Sequence, residues 1–104
     1  MSAFVRTLAT PVFDALFLFS GVALAGQVEV QWLGHATTRI TTAGGKTIVI
    51  DPFITGNPAT PAEFKGLSTL GKVDLILITH GHSDHVADLG ELARLSGAKV
   101  VANY

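Results

Sequence analysis

The sequence predicts an α/β fold, α+β in its layering, and three patterns support that prediction. From Gly26 onward, short β-branched runs are separated by Gly and Pro, which is typical of strands and turns. An almost unbroken apolar run covers 73–78, as expected for a strand buried on both faces. Apolar residues then recur at three- and four-residue steps over 86–96, the period of a helix packed on a core. A chain of 104 residues makes at most one small domain.

The first 25 residues have the layout of a secretory signal peptide. Arg6 lies near the start, an apolar run extends from Ala15 to Ala25, and Ala23 is also small. We expect residues 1–25 to be cleaved and the protein to be exported to a bacterial periplasm; the alternative is an extension without export role on a cytoplasmic protein. The run is about half of the roughly 20 residues that a membrane-spanning helix needs, so no permanent membrane span is expected.

The first predicted strand covers residues 28–33. Val28, Val30 and Trp32 alternate with the polar residues Glu29 and Gln31, which is the period of a strand with one buried face. We therefore expect the three apolar side chains, Trp32 among them, to lie in the core.

A hairpin is predicted next. The alternation returns at 37–42, Ala43-Gly44-Gly45 supplies residues that tolerate positive φ, and 46–50 continues the pattern. Pro52 cannot donate to a strand ladder, so the stretch from Asp51 to Lys65 is expected to be a long irregular loop.

The last predicted unit is a strand, a helix and a second strand. The strand at 73–78 is followed by the helix at 86–96, Gly97 is placed to end that helix, and 99–102 reads as a further strand. The two strands of such a unit should be parallel. Ligand sites in parallel sheets lie beyond the carboxyl ends of the strands.

Three of the four histidines lie within six positions at that end of the strand. In an extended segment His80 and His82 point to the same side and can reach one metal ion. Asp84 continues the register, while His85, where the helix begins, can turn toward a second ion. The spacing therefore favours two metals, a combination that activates water for hydrolysis.

The amino-acid composition excludes several classes of metal site and binding partner. The chain is 48% hydrophobic and 14% charged, so it is too apolar for a disordered segment. It has no cysteine, which excludes disulfides, Fe–S clusters and thiolate zinc sites and leaves His, Asp and Glu as metal ligands. A net charge of −1 gives no basic face for nucleic acid, so we expect a small-molecule substrate and no nucleic-acid partner. We expect no phosphate-binding cluster, because four of the cations are scattered along the sequence and are interpreted as solvated surface residues: Arg39, Lys46, Lys65 and Lys72.

The pattern His80-x-His82-x-Asp84-His85 after an apolar strand resembles the signature of the metallo-β-lactamase superfamily. Other segments look like one subgroup, the uncharacterised metal-dependent hydrolases related to the L-ascorbate-6-phosphate lactonases. These segments are Trp32-Leu33-Gly34-His35-Ala36, residues 50–58 (IDPFITGNP) and residues 97–103 (GAKVVAN). The resemblance covers roughly residues 28–104.

This resemblance implies that residues 26–104 form the N-terminal half of an αββα sandwich. It also implies two divalent ions, with His80 and His82 on the first and Asp84 and His85 on the second. Asp84 would in addition take part in proton transfer as a catalytic residue. Zinc is the expected metal, with manganese or iron as alternatives, because His and carboxylate ligands accept all three.

Two residues outside the cluster have open roles. His35 follows a predicted strand; it either lines the active site, as the resemblance implies, or is a turn histidine bonded to backbone. Asp51 ends a strand beside the same region and either orients a ligand histidine or caps the turn at Pro52.

Three functions remain open. The first is a metal-dependent hydrolase that uses water activated by two metals on a small ester, lactone or phosphoester. The second is a truncated, non-catalytic metal-binding half-domain, because superfamily members take a further His, an Asp and a last His from their second half, and no histidine follows His85 here. We accordingly expect a fragment that is inactive alone. The third, a nuclease, is disfavoured by the weak charge. The oligomeric state leaves no trace in the sequence.

Overall fold

The structure, a computed structural model, describes residues 26–103. The predicted leader, residues 1–25, lies outside the described residues. Within residues 26–103 the chain forms one five-stranded sheet with strand order β1-β2-β3-β4-β5. The strands are β1 (Glu29–Trp32), β2 (Thr38–Thr41), β3 (Thr47–Ile50), β4 (Leu75–Ile78) and β5 (Lys99–Ala102), and the α-helices are α1 (Ser83–Val86) and α2 (Leu89–Ser96).

The sheet is mixed, as expected for the predicted α/β class. Strands β1, β2 and β3 pair antiparallel, and β4 joins β3 and β5 in parallel. The predicted hairpin is confirmed as β2 and β3. Its turn closes with the Gly45 N–H donating to the Thr42 carbonyl at 2.9 Å, and Gly45 has a φ of +81°, which glycine adopts without strain.

The long connection from β3 to β4 is irregular, as predicted, apart from two 3-10 helices at Ala62–Phe64 and Leu67–Leu70. It crosses one face of the sheet and supplies much of the core. Buried apolar side chains from this connection, the strands and α2 pack together there: Leu33, Val49, Ile54, Leu67, Leu70, Val73, Ile76, Ile78 and Leu92.

The strand-helix-strand unit is confirmed, but the predicted helix is interrupted. Within the predicted range, α2 begins at Leu89, three residues after the expected start, and a separate helix, α1, covers Ser83–Val86. The expectation that Asp84 continues an extended register was therefore wrong, because Asp84 lies in α1. The backbone N–H of Asp88 donates to the Pro52 carbonyl at 3.0 Å, outside the helical hydrogen-bond ladder, and separates the two helices. Gly97 ends α2 as expected, with a φ of +66° and its N–H donating to the Ala93 carbonyl at 2.9 Å.

The prediction that β1 buries its apolar side chains was wrong. Val28, Val30 and Trp32 are 61%, 67% and 65% exposed. The strand register places Val30 opposite Ile40 and Trp32 opposite Thr38, on the sheet face away from the core. Within residues 26–103, β1 is an edge strand, and its neighbour on that face, Ile40, is only half-buried. The alternation therefore identified the strand but assigned its apolar side to the wrong environment.

Strand β4 is likewise covered fully on only one face. Ile76 and Ile78 are buried, whereas Leu75 and Leu77, on the open face, are half-buried.

None of the helices formed by residues 26–103 is both long and hydrophobic enough to cross a membrane.

Candidate metal centre

Three chain segments meet at one edge of the sheet. Strands β3 and β4 are parallel, so Asp51 and Thr79, which follow them, lie side by side. Two antiparallel steps separate β1 from β3, so β1 also runs in the direction of β3 and its following turn, with His35, reaches the same edge. The topology thus collects the predicted site residues from distant parts of the sequence.

Asp51 is the best-connected side chain at this edge. It is 2% exposed and accepts three hydrogen bonds: from the Thr79 N–H at 2.8 Å, the Thr79 hydroxyl at 2.6 Å and Nδ1 of His85 at 2.8 Å. Burial alone would raise the pKa of Asp51, but the hydrogen bonds from Thr79 and His85 outweigh it and hold the pKa below its ordinary value. The carboxylate is therefore ionised and engaged at both oxygens.

The contact with Asp51 fixes the tautomer of His85. A carboxylate can only accept, so Nδ1 of His85 carries the proton and Nε2 keeps its lone pair for a metal ion. Of the two roles left open for Asp51, this contact favours orientation of a histidine.

Thr79 extends the same arrangement to His80. Its hydroxyl donates to Asp51, and its oxygen lies 2.9 Å from Nδ1 of His80. Because the hydroxyl proton is used by Asp51, the bond to His80 has Nδ1 as donor, which again leaves Nε2 unprotonated. One buried carboxylate thus orients two imidazoles, one directly and one through a hydroxyl.

The three clustered histidines lie close together. The ring centroids of His80 and His85 are 4.0 Å apart, and those of His80 and His82 are 4.6 Å apart with the rings nearly perpendicular. His82 is exposed, whereas His85 is largely covered.

Asp84 and His35 form the second part of the site. Nε2 of His35 lies 2.8 Å from a carboxylate oxygen of Asp84, and the two side chains are about half exposed. Desolvation raises the pKa of Asp84. The hydrogen bond from its own backbone N–H and the nearby His85 and His35 lower the pKa by more than desolvation raises it, so the pKa lies below its ordinary value. His35 thus contacts a predicted ligand through its side chain.

The turn that presents His35 is tightly built. Gly34 has a φ of +100°, and a Cβ there would come within 2.9 Å of the Ala59 backbone. His35 itself has a φ of +52°, which is uncommon for a residue with a side chain. Its carbonyl accepts a hydrogen bond from the indole N–H of Trp32 at 2.8 Å. Trp32 therefore braces this turn from its exposed position.

The donor atoms suit divalent metal ions. Two groups have ligand atoms within 4.8 Å of one another: His35 with Asp84 and His85, and Asp51 with His80 and His85. Imidazole nitrogens and carboxylate oxygens are ligands of zinc, manganese and iron. The contacts at Nδ1 of His80 and His85 leave their Nε2 lone pairs available to a cation. The residues present therefore fit a metal centre.

Sequence reasoning missed two residues of this region, Thr79 and Asp88, and one surface feature. The cations Arg39, Lys46 and Lys72 are not scattered: with Asp74 they line a groove of about 310 Å³ at the sheet edge opposite the histidines. None of the predicted site residues lines that groove.

Comparison with known proteins gives the same picture. Residues 30–104 match the family model of the metallo-beta-lactamase superfamily. The chain is 62% identical over 81 residues to a UPF0173 metal-dependent hydrolase of Cupriavidus necator, covering 78% of this chain and 28% of that protein. For a UPF0173 metal-dependent hydrolase of Rubrobacter xylanophilus the identity is 52%, with 78% of this chain and 32% of that protein covered.

A solved structure is similar as well. Igni18, a metallo hydrolase from Ignicoccus hospitalis, superposes with a TM-score of 0.62 and 37% identity, covering 70% of this chain and 30% of Igni18. The chain thus spans about 30% of the length of these proteins. This coverage fits the expected N-terminal part of the sandwich, and the resemblance seen in the sequence is confirmed. The chain belongs to the metallo-β-lactamase superfamily.

Proposed function

We propose that this chain is the N-terminal part of a metal-dependent hydrolase that acts on a small ester, lactone or phosphoester. The observation that carries the proposal is the pair of histidines, His80 and His85, whose Nδ1 atoms are held by Thr79 and Asp51 so that both Nε2 atoms are free for metal. The names of the similar proteins, which are metal-dependent hydrolases, support the same reaction class.

Two divalent ions, most simply zinc, would be held by residues of this edge. His80 and His82 would bind the first ion, and Asp84 with His85 the second. When bound, such ions lower the pKa of a water ligand and polarise a substrate oxygen. Further ligands would come from parts of the protein that correspond to the remaining length of its relatives.

The chain's own residues supply orientation and a proton acceptor. Asp51 keeps His85 in one tautomer throughout, because its carboxylate is buried and its pKa is lowered. Asp84 is ionised at neutral pH because its pKa is lowered, and it would serve as the proton acceptor; one of its oxygens also accepts a hydrogen bond from His35 Nε2, 2.8 Å away. A small substrate of low charge fits the net charge of −1, which offers no extended basic surface for a polyanion.

A chimera tests the proposal. Residues 28–104 would replace the matching segment of the Cupriavidus necator relative, which is similar over 81 residues and supplies the remaining length. With zinc or manganese present, we expect hydrolysis of a nitrophenyl ester, a lactone or bis-nitrophenyl phosphate. The variant His82→Ala should lose turnover and metal together. A folded chimera that holds metal and hydrolyses none of these substrates would favour the non-catalytic metal-binding alternative.

We also propose that the protein is exported, on the basis of the apolar run that ends in Ala23-Leu24-Ala25. N-terminal sequencing of the protein recovered from a periplasmic fraction should begin at Gly26. Recovery from the cytoplasm with Met1 retained would contradict export.

A further inference from the structure

We propose that Asp88 is a positioning residue of the metal centre: it ties the loop after Asp51 to the helical segment after His85 and so sets the distance between those two residues. The inference rests on the metal centre proposed above, and it concerns a residue outside the ligand signature.

The contacts of Asp88 join two chain segments at four points. Its carboxylate accepts hydrogen bonds from the Ile54 N–H at 2.6 Å, the Thr55 N–H at 2.9 Å and the Thr55 hydroxyl at 2.6 Å. Its backbone N–H donates to the Pro52 carbonyl at 3.0 Å. With 6% of its surface exposed, Asp88 is shielded from water that would compete for these bonds.

The usual role of an aspartate at this position does not account for these contacts. Asp88 stands at the N-cap of α2, where a carboxylate ordinarily accepts a hydrogen bond from the first turn of the helix. Here the side chain makes no capping bond, and the helix is interrupted at this residue. Both the backbone and the side chain are used to hold the loop.

The loop so held leads directly to the site. Asp51 immediately precedes Pro52, and His85 lies three residues before Asp88. The hydrogen bond from His85 Nδ1 to Asp51, 2.8 Å long, therefore spans the same two segments that Asp88 clamps. A hydrogen bond weakens steeply with distance and angle, so loosening the clamp is expected to disorder the orientation of His85.

Asp74 offers a matched control. It too is an aspartate whose carboxylate accepts a backbone N–H, that of Thr47, at 2.9 Å. It precedes β4 and contacts the start of β3, so it lies at the sheet edge opposite the histidines. Asp74→Asn disturbs a similar clamp without touching either segment of the site.

The experiment is a titration of the chimera described above, which supplies the remaining length, with cobalt(II), followed by its visible d–d absorption, for the wild-type chimera and its Asp88→Asn and Asp74→Asn variants. We expect Asp88→Asn to bind cobalt about tenfold more weakly, with altered band intensities, and Asp74→Asn to stay within about twofold of wild type. Far-ultraviolet circular dichroism checks that each variant is folded.

The outcomes separate the two proposals. If the wild-type chimera is folded and binds no cobalt, the metal centre itself is refuted. If wild type binds and Asp88→Asn matches Asp74→Asn in affinity and spectrum, the positioning role is refuted. If Asp88→Asn does not fold, Thr55→Val is used instead, because it removes only one of the four bonds. We expect Thr55→Val to weaken cobalt binding several-fold, and unchanged binding would overturn the inference.

Discussion

Replacing Asp51 by Asn tests how the site selects its histidine tautomer. Asn has the shape of Asp and tolerates the positive φ of 48° found here, so the backbone should be unaffected. The amide has one oxygen where the carboxylate has two. If that oxygen accepts the Thr79 N–H, the NH₂ group faces Nδ1 of His85. His85 must then offer a lone pair at Nδ1 and carry its proton on Nε2, where metal would bind.

The magnitude follows from the bonds lost. Hydrogen bonds to a charged group contribute about 1.5–3 kcal/mol each. The NH₂ group replaces the oxygen that accepts both the Thr79 hydroxyl and His85 Nδ1, so two of the three bonds of Asp51 are disturbed and the metal-free chain should lose about 3–6 kcal/mol of unfolding free energy. Loss of a residue that orients a metal ligand typically lowers metal affinity by about 10–100-fold. We expect Asp51→Asn to lie near the ~100-fold end, because His85 would then carry its proton on the nitrogen that binds metal.

Urea unfolding of the metal-free chain and zinc competition against a chromophoric chelator measure the two effects. Asp74→Asn serves as the control, because it removes a partly buried carboxylate that contacts none of the histidines. Zinc affinity in Asp51→Asn within about twofold of wild type would refute the tautomer argument, whatever the stability change.

Three further outcomes are expected. Thr79→Val removes the hydroxyl between Asp51 and His80, so it should weaken zinc binding about tenfold in the same competition assay. The control Thr69→Val removes an exposed hydroxyl bond elsewhere and should leave zinc binding unchanged. The pKa values of Asp51 and Asp74 lie below their ordinary 3.8, so both carboxylates stabilise the fold above that pH. The unfolding free energy measured in urea should therefore be level near neutrality and fall as the pH drops below about 4. A rise of the unfolding free energy below about pH 4 would contradict these contacts. Gly34→Ala introduces a Cβ at 2.9 Å from backbone at positive φ and should cost about 1–3 kcal/mol by thermal unfolding; a neutral effect would show that the turn is looser than described.

Local patterns predicted most of the fold. The hairpin of β2 and β3, the glycine that ends α2 and the bounds of β5 all depend on short-range chemistry that the sequence displays directly. The environment of β1 depends on what covers the far face of the sheet, which no local alternation reveals. Val30 and Trp32 are therefore exposed although their period is that of a half-buried strand.

The metal site was likewise predicted only where it depends on residues close together in the sequence. The clustered histidines are neighbours in sequence, and their spacing alone indicates a metal centre. The contacts of Asp51 with His85 and of Asp88 with the 52–55 loop join residues about 34 positions apart, so only the parallel pairing of β3 and β4 brings them together. Arg39 and Lys72 share a groove because of the same tertiary folding.

Zinc K-edge X-ray absorption of the chain loaded with one equivalent of zinc tests the metal centre most directly. We predict a first shell of nitrogen and oxygen atoms at about 2.0–2.1 Å that includes the multiple scattering of at least two imidazoles, and the loss of one imidazole contribution in His80→Ala. A shell of oxygen atoms alone, or a spectrum that His80→Ala leaves unchanged, would contradict the assignment of these histidines as metal ligands.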